Sequence, residues 1–241
     1  MRLLSARAAR RLVEPVLAVV FPSLCRVCAE PLSSRGGPLC DPCWQALPRH
    51  RGPLCGCGMP GRSALCGRCR RGLQPLAAGA SLGPYEGGLR ALVHELSDRG
   101  RPRLAARLAE TLLADGAARR VLETGALLVP VPLHPRRRRE RGFSPSVLLA
   151  RELARRSGLP LSEEALVRRL DTPPPAGLSA ARRRKDVALA FAVRRRTKVA
   201  GRVVVLVDDL LATGATARAC ARALKAAGAA EVRLLTVARV A

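Results

Sequence analysis

Aromatic residues are almost absent from this chain of 241 residues, which has one Trp, one Tyr and three Phe. Proteins that bind single-stranded nucleic acid usually stack its bases on aromatic side chains, so this scarcity argues against such a platform. With 48% apolar residues, the chain still has enough Leu, Val and Ala for an aliphatic core. We therefore expect one substantial globular domain with room for a small additional module.

Lysine is also rare, since it occurs only at Lys185, Lys198 and Lys225. The net charge of +25 is consequently carried almost wholly by arginine, with few acidic residues to offset it. One interpretation is that this composition reflects the coding bias of a genome. The other is an anionic partner, either nucleic acid or a phosphorylated small molecule.

Long hydrophobic runs are missing as well. The apolar run from Val16 to Phe21 ends at Pro22, far short of the ~20 residues that a bilayer span needs. No small-residue cleavage site follows it, so a secretion signal is not predicted. We expect residues 1–22 to form an amphipathic helix packed on the body, with contact to a membrane surface as the alternative. The prediction is a cytoplasmic protein without integral membrane association.

Cysteine, in contrast, is concentrated between residues 25 and 69, and only Cys220 lies elsewhere. Pairs of thiolates on tight turns can point both sulfurs at one ion, and two such turns complete a tetrahedral zinc site. A segment with almost no hydrophobic core also needs a metal for its folding energy. Residues 23–73 are therefore predicted to form a double zinc ribbon with these ligands: Cys25, Cys28, Cys40, Cys43, Cys55, Cys57, Cys66 and Cys69.

Two alternatives to zinc remain for these cysteines, a disulfide framework and an iron–sulfur cluster. The absence of a secretion signal argues against disulfides, and the separation into two sets of four argues against a cluster. Cys55 and Cys57 are one residue closer than the usual ligand pair. Whether the second set holds zinc therefore stays open at this stage.

From residue 77 onward the chain alternates between strand-like and helix-like segments. Strands are predicted over 77–85, 126–133, 165–170, 202–209 and 231–239, and helices over 90–96, 104–113, from Ser144 onward, and over 215–227. The run of 203–207 has no polar residue, as a buried parallel strand requires. Residues 77–241 are therefore predicted to form an α/β domain with a mostly parallel sheet flanked by helices.

Two adjacent acids, Asp208 and Asp209, directly follow the apolar run of this predicted buried strand. The next turn, ATGAT, places a run of backbone N–H groups and a glycine at the start of a helix, which is a favourable site for a phosphate. Carboxylates accept hydrogen bonds from sugar hydroxyls and can share a divalent ion with them. The pattern thus favours a ligand with a phosphate and vicinal hydroxyls. The alternative is a capped helix beside two solvated acids.

The stretch VVLVDDLLATGAT resembles the 5-phosphoribosyl-1-pyrophosphate (PRPP) motif of type I phosphoribosyltransferases. The order of motifs is similar to that of the ComF family of competence-related proteins: a double zinc ribbon, then YEGGLR (85–90), then PVPLHPRRRRERGF (130–143), then the acid pair. The resemblance covers about residues 20–241. It implies a type I phosphoribosyltransferase fold and a link to DNA uptake.

The resemblance also implies the site residues. Asp208 and Asp209 are the candidate catalytic residues and would bind the ribose hydroxyls, with Mg²⁺ accompanying PRPP. The 5-phosphate would be held by Ala212, Thr213, Gly214, Ala215 and Thr216. Guanidinium groups suit the pyrophosphate, which would be faced by Arg136, Arg137 and Arg141. The segment 171–186 corresponds to a mobile loop of the family and would close over the site.

This chain departs from the family at several positions of the expected substrate site. Members usually carry Lys where Ser97 stands, amide side chains near Ser144, Pro145, Pro175 and Asp186, and an additional Thr at Ala212. Because backbone amides do most of the phosphate binding, we expect ligand binding to survive these changes. Turnover depends more on the missing side chains.

Two functions follow. The first is an enzyme that transfers phosphoribosyl from PRPP to an acceptor which the sequence does not identify. The second is a non-catalytic adaptor in DNA uptake that binds single-stranded DNA or a helicase. In that case the PRPP pocket is either a sensor or a relic.

His94, His134 and Cys220 are predicted to have structural roles.

Overall fold

The structure is a computed structural model of the full chain. It describes residues 23–32, 37–50, 55, 57–58, 66–72, 74–122, 125–169, 190–194 and 196–240. The predicted helix at residues 1–22 and the predicted loop at 171–186 lie outside the described residues.

A four-stranded parallel sheet forms the centre of the larger domain. Its order is β1–β6–β5–β2, with β1 at Ala78–Pro84, β2 at Leu127–Pro130, β5 at Val203–Leu211 and β6 at Glu231–Arg239. Every neighbouring pair is parallel. This confirms the predicted parallel sheet. β2 is shorter than the predicted 126–133, and β5 continues four residues past the apolar run, so that the acid pair lies inside the strand.

Helices cover both faces of this sheet because its strands are apolar on both sides. On one face, Val205 and Val207 share a core with helices α3 (Gly87–Arg99), α4 (Pro102–Ala114), α5 (Gly116–Val121) and α7 (Pro145–Ser157). On the other face, Val204 and Leu206 pack with helix α9 (Ala215–Ala226). Successive side chains of β5 point to opposite faces of the sheet, so the strand contributes to two aliphatic cores.

The remaining strands form a separate antiparallel pair, β3 (Leu166–Arg168) with β4 (Phe191–Val193). The predicted strand at 165–170 therefore exists, but it lies outside the main sheet. Two further helices are short: α6 (Pro135–Arg141) follows β2, and α8 (Arg196–Val199) follows β4.

Helix α7 begins as predicted after Ser144, with Pro145 in its first turn. Ser144 precedes the helix, but its side chain makes no capping hydrogen bond. The hydroxyl of Ser144 is buried and has no hydrogen-bond partner among the described residues. That leaves a polar atom available to a ligand.

The cysteine-rich segment contributes two short helices, α1 (Asp41–Gln45) and α2 (Gly67–Arg70), each starting just after a cysteine. Its apolar residues join the two cores of the larger domain: Leu39, Trp44 and Leu47 on the side of α3 and α4, and Cys55 and Cys57 on the side of α9. The small module therefore packs on both faces of the sheet.

Pro48 and His50, which follow the first cysteine set, and Cys57 of the second set lie against β1. His50 is hydrogen-bonded to Ser81 at 2.7 Å, and a Cβ atom at Gly79 would lie 2.5 Å from the carbonyl oxygen of Cys57. A Cβ atom at Gly83 would lie 2.0 Å from the carbonyl oxygen of Pro48. Glycine is required at both positions because backbone approaches backbone there.

No helix within the described ranges is both long enough and apolar enough to cross a bilayer.

Candidate functional site

The two acids of β5 are held by hydroxyl groups from two different helices. Ser146 of α7 donates to Asp208 Oδ1 at 2.9 Å, and the backbone amide of Asp209 donates to the same oxygen at 3.0 Å. Ser97 of α3 donates to Asp209 Oδ2. Both carboxylates are therefore oriented at the carboxyl end of the sheet, where parallel α/β folds bind their ligands.

The electrostatics of the pair are unfavourable for two negative charges. Burial and the neighbouring Asp209 carboxylate raise the pKa of Asp208 well above its ordinary value, against the hydrogen bonds from Ser146 and the Asp209 amide. Two carboxyl groups this close resist ionising together. A cation or a set of hydroxyl donors at this place relieves the repulsion.

A cavity of about 210 Å³ opens over the acid pair. Asp208, Asp209 and Ser146 line it together with two arginines, Arg141 from the end of α6 and Arg168 from β3. The cavity therefore combines oxygen acceptors on one side with guanidinium donors on another. That combination suits a ligand with both hydroxyl and phosphate groups.

A second, smaller cavity of about 90 Å³ adjoins the first and is formed by the turn between β5 and α9. All five predicted phosphate-binding residues line it: Ala212, Thr213, Gly214, Ala215 and Thr216. Gly214 begins α9 with a φ of 70°, a left-handed conformation that favours glycine. Asp208 and Thr216 line both cavities. The predicted acid pair and phosphate turn are thus brought together.

The hydroxyl of Thr236 adds a polar group beside this turn. Thr236 lies on β6 directly opposite Asp208 and lines the small cavity. It is buried, and its Oγ1 atom has no hydrogen-bond partner within the described ranges. A buried hydroxyl without a hydrogen-bond partner at a cavity wall is typical of a site that binds a polar ligand.

The three arginines predicted to face the pyrophosphate are not all placed alike. All three belong to helix α6. Arg141 lines the larger acid-pair cavity, whereas Arg136 is exposed and pairs with Glu140 at 2.9 Å. The side chain of Arg137 lies outside the described residues. Of the three, Arg141 is the one that the described structure brings to the acid pair.

Ser97, Ser146, Arg168 and Thr236 were not identified as contacts of the site from the sequence. In the sequence, Ser97 differs from its surroundings only in replacing the Lys that is usual in the family, yet its hydroxyl donates directly to Asp209. Ser146 directly follows the Ser-Pro start of α7, and Arg168 lies on a short strand. No local pattern marks these residues, because each meets the acids only through the tertiary fold.

His134, His94 and Cys220 have local contacts that are typical of structural residues. His134 is the first residue before α6, where its Nδ1 accepts from the Arg136 amide at 3.2 Å. His94 is exposed and bonded to the Tyr85 hydroxyl at 2.9 Å. Cys220 lies on α9 and is fully buried in the core that this helix forms with the sheet.

The eight cysteines converge into two groups of four. In each group the sulfur atoms all lie within 4.8 Å of one another; the first group is Cys25, Cys28, Cys40 and Cys43, and the second is Cys55, Cys57, Cys66 and Cys69. Four converging thiolates are the ligand set of a structural zinc site. The short spacing of Cys55 and Cys57 does not prevent their sulfurs, 3.6 Å apart, from joining the second group.

Hydrogen bonds from the backbone favour the thiolate at one member of the first group. Burial acts to raise the pKa of Cys25, but hydrogen bonds from the backbone amides of Cys28, Cys40 and Val27 outweigh it and lower the pKa to about 6. A thiolate is the form that binds zinc. In the second group, the side chain of Gln74 approaches the Cys57 sulfur at 3.5 Å.

Comparison with known proteins agrees with both halves of this description. The phosphoribosyl transferase domain family matches residues 143–241, and the double zinc ribbon domain family matches residues 16–70. The fold and the cysteine groups thus define a phosphoribosyltransferase-like protein that carries structural zinc ribbons.

Related proteins specify the family. The DNA utilization protein YhgH of Salmonella typhimurium is 36% identical over 226 residues, which cover 92% of this chain and 99% of the relative. The protein of the same name from Escherichia coli K12 is 33% identical over the same shares. Competence protein F of Haemophilus influenzae is 30% identical over 138 residues, 57% of this chain and 60% of the relative. The chain belongs to the ComF family of these DNA utilization and competence proteins.

Proposed function

We propose that this protein binds PRPP at the acid pair and transfers its phosphoribosyl group to an acceptor. The observation that carries the proposal is the junction of the two cavities at Asp208 and Thr216, with carboxylates on one side and the glycine turn on the other. The ribose hydroxyls would donate to Asp208 and Asp209. The 5-phosphate would accept from the amides of the turn and from the Thr236 hydroxyl.

The residues at the site also fit Mg²⁺, which prefers carboxylate oxygens. Asp208 and Asp209 would hold the ion, and it would neutralise charge on the pyrophosphate. The repulsion that raises the pKa of Asp208 is consistent with a cation belonging there.

For the reaction itself, the chain would contribute positioning and charge stabilisation. Ser146 and Ser97 fix the two carboxylates, so the ribose is held in one orientation. Arg141 and Arg168 would stabilise the negative charge that develops on the departing pyrophosphate. Orientation of this kind accounts for a large part of the barrier reduction in group transfer.

Calorimetric titration with PRPP and Mg²⁺ tests the proposal. The wild type should bind, and the double variant Asp208→Asn, Asp209→Asn should lose binding by at least about 100-fold, because charge-assisted hydrogen bonds are lost at both carboxylates. As a control, Asp98→Asn removes an exposed acid of the same helix as Ser97 and should bind normally. If the wild type shows no binding heat with PRPP and Mg²⁺, the site is not a PRPP site.

The second candidate function is a non-catalytic adaptor in DNA utilization. It is favoured by the names of the relatives and by the net charge of +25, with exposed arginines along α6. Affinity for single-stranded DNA that rests on phosphate contacts should fall steeply between low and physiological salt. A fluorescence-anisotropy titration of a labelled oligonucleotide at several salt concentrations measures this. Binding that is absent even at low salt would remove this candidate.

A further inference from the structure

A third and larger cavity, of about 560 Å³, lies beside the acid pair on the side of the small β3–β4 sheet. It shares Pro132, Leu133 and Arg168 with the cavity over the acids, so the two cavities are neighbours. Its floor is apolar, and Pro130, Val147, Leu166 and Val167 form part of it. A ligand in this cavity would lie next to whatever binds Asp208 and Asp209.

The walls of this cavity carry an excess of positive charge. Four arginines line it: Arg138 of α6, Arg168 at the end of β3, Arg169 directly after that strand, and Arg194 after β4. Two carboxylates oppose them, and one of these, Glu163, already has two hydrogen bonds from Arg151, at 2.6 and 2.8 Å. Glu164 is the other and is exposed. The four guanidinium groups therefore outnumber the carboxylates that face them.

The orphan hydroxyl of Ser144 points to a ligand independently of the charge. Ser144 is 7% exposed, lines this cavity, and its Oγ atom has no hydrogen-bond partner among the residues described here. A buried hydroxyl without a partner carries a desolvation cost that a ligand's polar group removes. An apolar floor with a few convergent polar groups is also the usual composition of a small-molecule site.

We infer that this cavity is the acceptor site and that the acceptor is a small, flat molecule bearing a carboxylate or a phosphate. The anion would pair with Arg194 and its neighbours, the ring would lie on the apolar floor, and Ser144 would bond its polar edge. The assignment as an acceptor rests on the proposed function. In the transfer, an acceptor nitrogen or oxygen bonds to ribose C1 while the C1–O bond breaks, pyrophosphate leaves with the electron pair, and the acceptor's proton passes to solvent.

The experiment uses three probes that share a ring and differ in charge: phenyl phosphate, benzoate and benzamide. Each is titrated into isotope-labelled full-length protein with zinc bound, and the amide signals of Val147 and Val167 report on the cavity. At least one of the two anions should bind about 10-fold more tightly than neutral benzamide, because charged hydrogen bonds are stronger. Whichever anion binds more tightly identifies a phosphate or a carboxylate as the preferred group.

Matched variants locate the binding. Arg194→Gln should weaken binding of the anions by about 10-fold and Ser144→Ala by about 5-fold. Arg222→Gln, which removes an exposed arginine of α9 far in sequence from the cavity lining, should change nothing. Equal affinity for all three probes, anion affinities that neither variant alters, or the absence of binding by any probe would overturn the inference.

Failure of the proposed function gives a different pattern. Arg194 and Ser144 do not line the cavity over the acid pair, so both variants should bind PRPP with Mg²⁺ as the wild type does. If the wild type binds the anionic probes but not PRPP, the anion site stands and the transferase proposal fails. If the wild type binds PRPP but none of the anionic probes, the proposed PRPP site stands and the inferred anion site fails.

Discussion

At the scale of single residues, buried polar groups lie where the cysteine-rich module meets the sheet. Arg239, at the end of β6, is 1% exposed and donates through Nη1 to the carbonyl oxygen of Gly58. His50 lies in the same region, bonded to Ser81 of β1. A buried arginine and an imidazole near each other cannot both be charged without cost. The junction therefore depends on His50 remaining neutral.

This dependence predicts a pH effect on stability. Burial, with a further contribution from Arg239 and against an opposing one from Asp115, lowers the pKa of His50 below its ordinary value of 6.5. Between that ordinary value and the lower folded one, the unfolded chain takes up a proton that the folded chain does not. Stability at this group is therefore complete above about pH 6.5 and falls as the pH drops further.

Thermal unfolding of the wild type and of His50→Gln, each followed from about pH 7.5 to 5.5, measures the effect. Gln keeps a donor for Ser81 but does not titrate, so the loss of melting temperature on acidification should be smaller in the variant. Parallel curves for the two proteins would show that His50 does not contribute. The zinc ligands are the same in both proteins, so their protonation affects both curves alike.

Single residues also show how far the sequence predicts the site. Asp208, Asp209 and the glycine turn are adjacent in the chain and were predicted as one ligand site, although their roles remain to be tested. Their partners Ser97 and Ser146 lie 112 and 62 positions away. Serine carries no signal of its own, so these contacts become apparent only when the helices pack on the sheet.

At the scale of elements, helix α4 holds the first zinc ribbon through one arginine. The guanidinium carbon of Arg107 lies 4.0 Å from the ring centroid of Trp44, and the same side chain pairs with Asp41 at 2.6 Å. The Trp44 indole also donates to Thr111, one turn further along α4, at 3.3 Å. These contacts join α1 to α4 beside the apolar contacts that Leu39, Trp44 and Leu47 make with the same core.

Replacing Arg107 with Ala should loosen this contact. The stacked cation and its ion pair together stabilise by about 1–2 kcal/mol, so the midpoint of unfolding should fall accordingly. Trp44 is the single Trp of the chain, and its fluorescence should shift to longer wavelength as the indole becomes more exposed. Arg103→Ala, at an exposed position of the same helix, is the control. Identical spectra for both variants would contradict the role of Arg107.

The elements that the sequence predicted best are those defined by local pattern. β6 was predicted with its observed bounds, and α4 and α9 each within three residues at either end, because their apolar periodicity is strong. The pairing of β3 with β4 was not predicted. Its two short strands are separated by more than 20 residues, and three-residue strands have too few side chains to show a period.

At the scale of the whole molecule, the zinc ribbons and the sheet share their cores. The first ribbon packs with α3 and α4 and the second with the face of α9, while Pro48 and Cys57 lie against β1. Arg26 of the first ribbon pairs with the buried Glu95 of α3 at 3.0 Å. Metal binding and the stability of the larger domain are therefore coupled.

Removal of zinc should destabilise the larger domain as well as the ribbons. A strong chelator should lower the melting temperature by about 10 °C, since structural zinc contributes several kcal/mol to folding. Hydrogen exchange should accelerate in the amides of β1, against which the ribbons lie, and much less in β2 at the opposite edge. Returning zinc is the control and should restore both. Unchanged exchange in β1 without zinc would show that the two parts fold independently.

The pairing of β1 with β6 constrains how the molecule is made on the ribosome. Ala78 pairs with Arg233, and Arg239 of the same late strand reaches the second ribbon at Gly58. Because synthesis proceeds from the amino terminus, the cysteines emerge long before the strand that secures β1. During that interval, bound zinc would protect the cysteine thiols of the nascent ribbons from oxidation, and their own turns would limit binding by chaperones. Closure of the sheet at β1 then awaits β6, which is translated about 150 residues later, as this long-range pairing requires.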